Sequence, residues 1–166
     1  MPKPQNTTIL FVTGLSGAGR SSALKVFEDM GYEVFDNIPI QLVDGLLAME
    51  SDVRKMAVGI DTRTRYFSPD DLLNAMRRID QDDNGIAARL VFMKAEEAVL
   101  QKRFSETRRR HPMAQDRSVQ DGIRHEMDIM GPLLGAADYV IDTSDFSVHD
   151  LRDDLQHKFS DAQVNN

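Results

Sequence analysis

Cysteine is missing from this 166-residue chain, which excludes disulfides and thiolate metal centres. Long apolar runs are missing too. No stretch is long enough to span a membrane, and the first residues carry no secretory signal pattern. The expectation is a cytoplasmic protein with no membrane partner. An excess of positive charge is also absent. The formal net charge of −7 argues against nucleic-acid binding by the surface as a whole. His111, His125, His149 and His157 show no metal-ligand spacing, and no Ser–His–Asp order stands out. There is no internal repeat and no long low-complexity tract. What remains is ordinary globular material: 41% apolar and 28% charged, and long enough for one domain with one substantial core.

Short apolar runs at Ile9–Val12, Glu33–Phe35, Met56–Ile60, Leu90–Met93 and Tyr139–Ile141 read as strands. Helical spacing lies between and after them. Leu24, Phe27 and Met30 share one face, as do Leu42, Leu46 and Met49. Leu72, Ala75, Met76 and Ile79 form another stripe. Ile123, Met127, Met130 and Leu134 follow, then Val148, Leu151, Leu155 and Phe159. Ser68-Pro69-Asp70-Asp71 reads as a helix start, and Ser147 with Asp150 as a cap. Gly31 and Gly85 stand where helices end on a left-handed residue. Alternating strands and helices predict an α/β fold: a mostly parallel five-stranded sheet between helical layers.

One loop carries the chemistry. Gly14-Leu15-Ser16-Gly17-Ala18-Gly19-Arg20-Ser21-Ser22 follows the first strand and opens the first helix. That is the setting of a phosphate-binding loop, where glycines let the backbone curl its N–H groups onto an anion. The helix adds the positive end of its dipole. Ser21 stands where the hydroxyl ligand to Mg²⁺ belongs. The usual Lys is replaced by Arg20, which keeps the charge but presents a planar fork instead of a compact ammonium.

Ligands of open parallel sheets bind beyond the carboxyl ends of the strands. Thr13, Asp36-Asn37, Asp61-Thr62-Arg63 and Asp142-Thr143-Ser144 all fall there. Asp61 resembles a Walker-B acid, which would hold Mg²⁺ directly or through water. A basic run, Arg103 with Arg108, Arg109 and Arg110, ends at His111-Pro112. It reads as a lid that neutralises phosphate charge, as a contact for RNA or an acidic partner, or as a solvated helix face.

Several blocks together resemble the RapZ/YvcJ nucleotide-binding family of RNase adapter proteins. They are the loop just described, Glu28-Asp29-Met30-Gly31-Tyr32, Asp36-Asn37-Ile38-Pro39, Gly59-Ile60-Asp61-Thr62-Arg63, the Arg103–Pro112 segment and Ile141-Asp142-Thr143-Ser144 with Ser147-Val148-His149. The resemblance runs in order from about Ile9 to Leu155. It implies a kinase-like P-loop NTPase domain over residues 1–166 that binds ATP or GTP with Mg²⁺ and hydrolyses it weakly. Gly14 to Ser21 would form the ATP-type phosphate site. Asp61, Thr62, Arg63 and Thr64 would match a segment associated with GTP. Some members bind a small regulatory RNA and present it to an endoribonuclease, adjusting amino-sugar synthesis. The family's C-terminal domain, tied to RNA recognition and homo-oligomer formation, is expected to be absent from this chain.

Arg20 and Asp61 are the candidate catalytic residues. Ser21 and Asp61 are the candidate metal ligands. The rival reading is a small-molecule kinase of the same fold, with Asp36, Asn37 and Arg63 receiving an acceptor. A third is a binding module whose nucleotide site has decayed.

Overall fold

The computed structural model describes residues 7–48, 55–64, 67–81, 85–107, 111–113 and 118–160. Within them the chain alternates strand and helix. β1 (Thr7–Gly14), α1 (Arg20–Asp29) and β2 (Glu33–Asp36) come first. A 3₁₀ turn (Ile40–Leu42) leads into α2 (Val43–Ala48), β3 (Lys55–Gly59), α3 (Pro69–Gln81) and β4 (Ile86–Lys94). Then follow α4 (Glu97–Thr107), α5 (Val119–Ala136), β5 (Tyr139–Asp142) and α6 (Val148–Phe159). The strands form one parallel sheet in the order β2-β3-β1-β4-β5. Helix α1 packs with α6, while α5 packs with α3 and α4.

The expected strands all form. β1 and β4 run further than their apolar runs because central strands find ladder partners beyond them. Thr7 pairs with Ile86, and Gly14 with Met93. Ile9, Phe11, Val12, Leu90 and Val91 are fully buried, as strands covered on both faces should be. Leu72, Ala75, Met76 and Ile79 are buried as one face of α3. Leu155 and Phe159 bury α6, and the Phe159 ring meets Phe27 edge-on at 5.2 Å. Ser147 and Asp150 form a reciprocal capping box. Gly31 and Gly85 have φ of 96° and 76°.

Three helical faces differ from expectation. Val148, read as part of the α6 stripe, is 65% exposed at the first helical position, and only Leu151, Leu155 and Phe159 turn inward. In α5 the inward residues are Gly122, Ile123, Glu126, Met130 and Leu133, while Met127 and Leu134 are exposed. The helix is rotated so that a carboxylate, not a methionine, takes the inward place, and that carboxylate is fully bonded (below). Leu42 is also exposed. It closes the 3₁₀ turn, and the change of pitch into α2 puts Val43 inward instead. Met49 lies outside the described residues.

Register fixes the site. Asp36 lies beside Gly59 across β2–β3, Val12 beside Gly59 across β1–β3, and Lys94 beside Asp142 across β4–β5. The polar strand ends therefore share one edge with the loop that leaves Gly14.

Candidate phosphate site at the sheet edge

The loop is held from outside by bonds to its outward groups. Leu15 N–H donates to Met93 O (2.9 Å), and Ala18 N–H closes a turn onto Leu15 O (3.0 Å). Arg103 reaches from α4 to donate to Gly17 O (3.0 Å). Thr143, buried after β5, donates its hydroxyl to Ala18 O (2.7 Å). Arg103 also donates to Thr143 Oγ1 (3.0 Å) and Thr143 O (2.6 Å). Among the described residues, by contrast, no hydrogen bond takes up the N–H groups of Gly17, Gly19, Arg20 or Ser21. Gly14, Gly17 and Gly19 adopt φ of 141°, 88° and 104°, which side-chain-bearing residues rarely enter. Unpaired donors at a helix start have the geometry that suits an anion.

Arg20, the first residue of α1, does not extend into solvent. Its guanidinium pairs with Asp36 from β2 and, at 2.8 Å, with Asp61 after β3. Asp61 also accepts from Arg63 N–H (2.9 Å) and the Arg63 guanidinium (3.1 Å). Its own N–H donates to Thr64 Oγ1 (2.9 Å), whose hydroxyl faces Asn37 Oδ1 at 3.2 Å. Asn37 adopts φ of 63°, a left-handed turn that Asn tolerates, as the chain leaves β2. Gly59 makes the pairing sterically feasible. A Cβ there would sit 2.5 Å from Asp36 Oδ1 and 2.7 Å from Arg20 Nη1.

The structure thus brings Arg20, Asp36, Asp61, Arg63 and Thr64 together beside the loop. Ser21 sits exposed in the first turn of α1. Ser21, Asp61 and Asp36 offer only oxygen, the donor set Mg²⁺ prefers, although Asp61 is taken by guanidinium here. On the other side of the loop is a cleft of about 230 Å³. Arg103, Thr143, Phe146, Val148 and Leu151 line it together with the loop glycines. On either side of Thr143 in sequence, the Ser144 hydroxyl and N–H both donate to Asp142, holding that carboxyl below its usual range. Arg108, Arg109 and Arg110 lie outside the described residues.

Sequence reasoning passed over Glu126, fully buried in α5. It accepts from Ser16 N–H and Ser16 Oγ (both 2.7 Å), from Thr62 Oγ1 (3.2 Å) and from His111 Nε2 (3.2 Å). Its one signal was a charged residue in line with Ile123 and Met130 on an otherwise apolar face. No helix among the described residues is long and apolar enough to cross a membrane.

The chain is similar to known proteins in sequence and in fold. A nucleotide-binding protein of Roseobacter denitrificans is 45% identical over 152 residues, covering 92% of this chain and 51% of the relative. One of Rhodospirillum centenum is 47% identical over 151 residues, covering 91% of this chain and 45% of the relative. The chain spans about half the length of the relatives it matches. In fold it is similar to shikimate kinase from Acinetobacter baumannii, solved with shikimate, at TM-score 0.61 and 15% identity over 91% of this chain and 92% of that one. A gluconokinase from Sinorhizobium meliloti matches at TM-score 0.55 and 14% identity, covering 99% and 97%. The RapZ-like N-terminal domain model matches residues 7–163, and the chain belongs to that family.

Proposed function

We propose that this domain binds a nucleoside triphosphate, ATP or GTP, as its Mg²⁺ complex and hydrolyses it slowly. The carrying observation is the set of unpartnered N–H groups at Gly17, Gly19, Arg20 and Ser21 in a loop whose outward groups are bonded. The β- and γ-phosphates would lie on those amides. The base would enter the cleft beside Phe146 and Val148, under Arg103. Ser21 and Asp61 would hold Mg²⁺, which when bound neutralises phosphate charge. Arg20 would exchange carboxylate oxygens for phosphate oxygens and spread its fork over the terminal phosphate. Catalysis would then be positioning and charge neutralisation, with Arg103 and the Arg108–Arg110 run as the lid. In the longer proteins of the family we propose that this half regulates an RNA adapter that acts with an endoribonuclease, in the cytoplasm.

A small-molecule kinase is the second reading. Asp36, half exposed, and Arg63, 58% exposed at its side chain, flank Asp61 where an acceptor would approach.

Calorimetry with Mg·ATP and Mg·GTP, paired with phosphate release, tests both. The expected result is one site with Kd on the order of 10 μM and slow release of free phosphate. Turnover that rises many-fold with an added sugar or hydroxy-acid acceptor would move the assignment to the kinase. No heat with either nucleotide would remove both readings.

A further inference from the structure

Glu126 is an unusual residue to bury. An isolated carboxylate is costly away from water, yet this one is fully enclosed. Its charge is met by neutral donors: one backbone N–H, two hydroxyls and an imidazole. The imidazole is itself set. His111 Nδ1 accepts from Met113 N–H (3.0 Å), which leaves the proton on Nε2 to be donated to Glu126.

These partners come from three separate segments. Ser16 belongs to the phosphate loop, Thr62 follows Asp61 after β3, and His111 lies just past the arginine run. Before that run, Phe104 of α4 stacks on the His111 ring at 4.9 Å and covers Gly17, whose Cβ would lie 3.1 Å from Phe104 Cε2. Phe104 and His111 are therefore both tied to the loop, Phe104 by its contact at Gly17 and His111 through Glu126.

The side of the loop matters. The cleft proposed for the base is lined by Thr143, Phe146 and Leu151. Thr62, next to Asp61, is absent from that lining and shares Glu126 with Ser16. A triphosphate running from the cleft toward Asp61 ends beside Ser16. Resting on the nucleotide reading above, we propose that Glu126 is a positioning residue for the terminal phosphate. It fixes Ser16 in the loop, with His111 bracing it from behind, so that the site selects triphosphate over diphosphate. Glu126 touches no phosphate itself. Its action runs through the Ser16 backbone, which sets the loop.

The hydrogen-bond pattern supplies a discriminating pair of variants. In Glu126→Gln the amide oxygen still accepts from Ser16 N–H and His111. The amide nitrogen donates to the Ser16 and Thr62 hydroxyls, which turn to accept. All four contacts persist without the charge. Glu126→Ala removes them all.

Affinities for Mg·ATP and Mg·ADP are measured on the unaltered chain and on both variants, with circular dichroism to confirm folding. Glu126→Ala is expected to weaken Mg·ATP about tenfold or more while changing Mg·ADP less than about twofold, and Glu126→Gln to restore Mg·ATP to within about threefold. If Glu126→Ala does not fold, Ser16→Ala serves instead, with the same selective loss expected at about threefold. Equal losses for both nucleotides, no loss, or failure of Glu126→Gln to rescue overturns the inference and leaves the nucleotide reading intact. If the unaltered chain binds neither nucleotide, the nucleotide reading itself has failed and this inference falls with it.

Discussion

Asp61→Asn is expected to change nucleotide affinity in opposite directions with and without Mg²⁺, and to lower stability in the same protein. Asp61 is buried, its side chain only 4% exposed, and it pairs with an Arg20 side chain that is 10% exposed. Removing one partner of a buried pair leaves a charge poorly compensated, at a typical cost of about 3–5 kcal/mol. Arg20 keeps Asp36 as a second partner, so the lower end, about 3 kcal/mol, is expected in a urea melt. With Mg²⁺ present, loss of the carboxylate proposed to hold the metal is expected to weaken triphosphate binding about 100-fold, or about 2.7 kcal/mol. With Mg²⁺ chelated the sign reverses. A carboxylate near the phosphates repels them by about 1–4 kcal/mol at 4 Å, depending on the local dielectric. Its removal also frees one arm of the Arg20 fork, the other staying with Asp36. Binding about tenfold tighter than in the unaltered chain is expected. Equal loss in both conditions would show that Asp61 only supports the fold.

Gly14→Ala is expected to remove most of the stability. Gly14 ends β1 at φ 141° and pairs with Met93 in the centre of the sheet. A Cβ there would overlap the Met93 carbonyl oxygen and lie 2.6 Å and 2.8 Å from Met93 N and C. Those are backbone atoms of a buried central strand, so neither side can yield. A loss beyond about 4 kcal/mol is expected, a large part of the total stability of a domain this size. Gly135→Ala is the matched control. Nothing lies within 4 Å of its Cβ position in α5, and exchanging Gly for Ala inside a helix stabilises by about 1 kcal/mol. Equilibrium denaturation of both variants measures the contrast. Wild-type stability in Gly14→Ala would contradict the loop geometry.

The chain's pattern made the loop readable because glycine spacing encodes conformation directly. Within the loop, Gly14, Gly17 and Gly19 are residues with positive φ. The strands were readable because parallel strands covered on both faces are apolar throughout. Asp36, Asp61 and Asp142 were correctly expected at one edge, since a parallel sheet carries every strand's carboxyl end to the same side. What could not be read depends on order and orientation. Strand ends alone do not say that β3 lies between β2 and β1, and only that order lets Arg20 bridge Asp36 and Asp61. Glu126 was hidden for a similar reason. Its partners Ser16 and Thr62 stand 110 and 64 residues away, so nothing local distinguishes it from a solvated glutamate. The facing of α5 followed the same error, because apolar spacing favoured Met127 and Leu134 over the buried carboxylate.

The loop amides can be watched individually. In ¹⁵N-labelled protein titrated with Mg·ATP, the largest downfield shifts are expected at the N–H groups of Gly17, Gly19, Arg20 and Ser21, with Ser16 moving less because Glu126 already holds its N–H. Saturable shifts confined to other residues, with those four amides unmoved, would contradict phosphate binding by this loop.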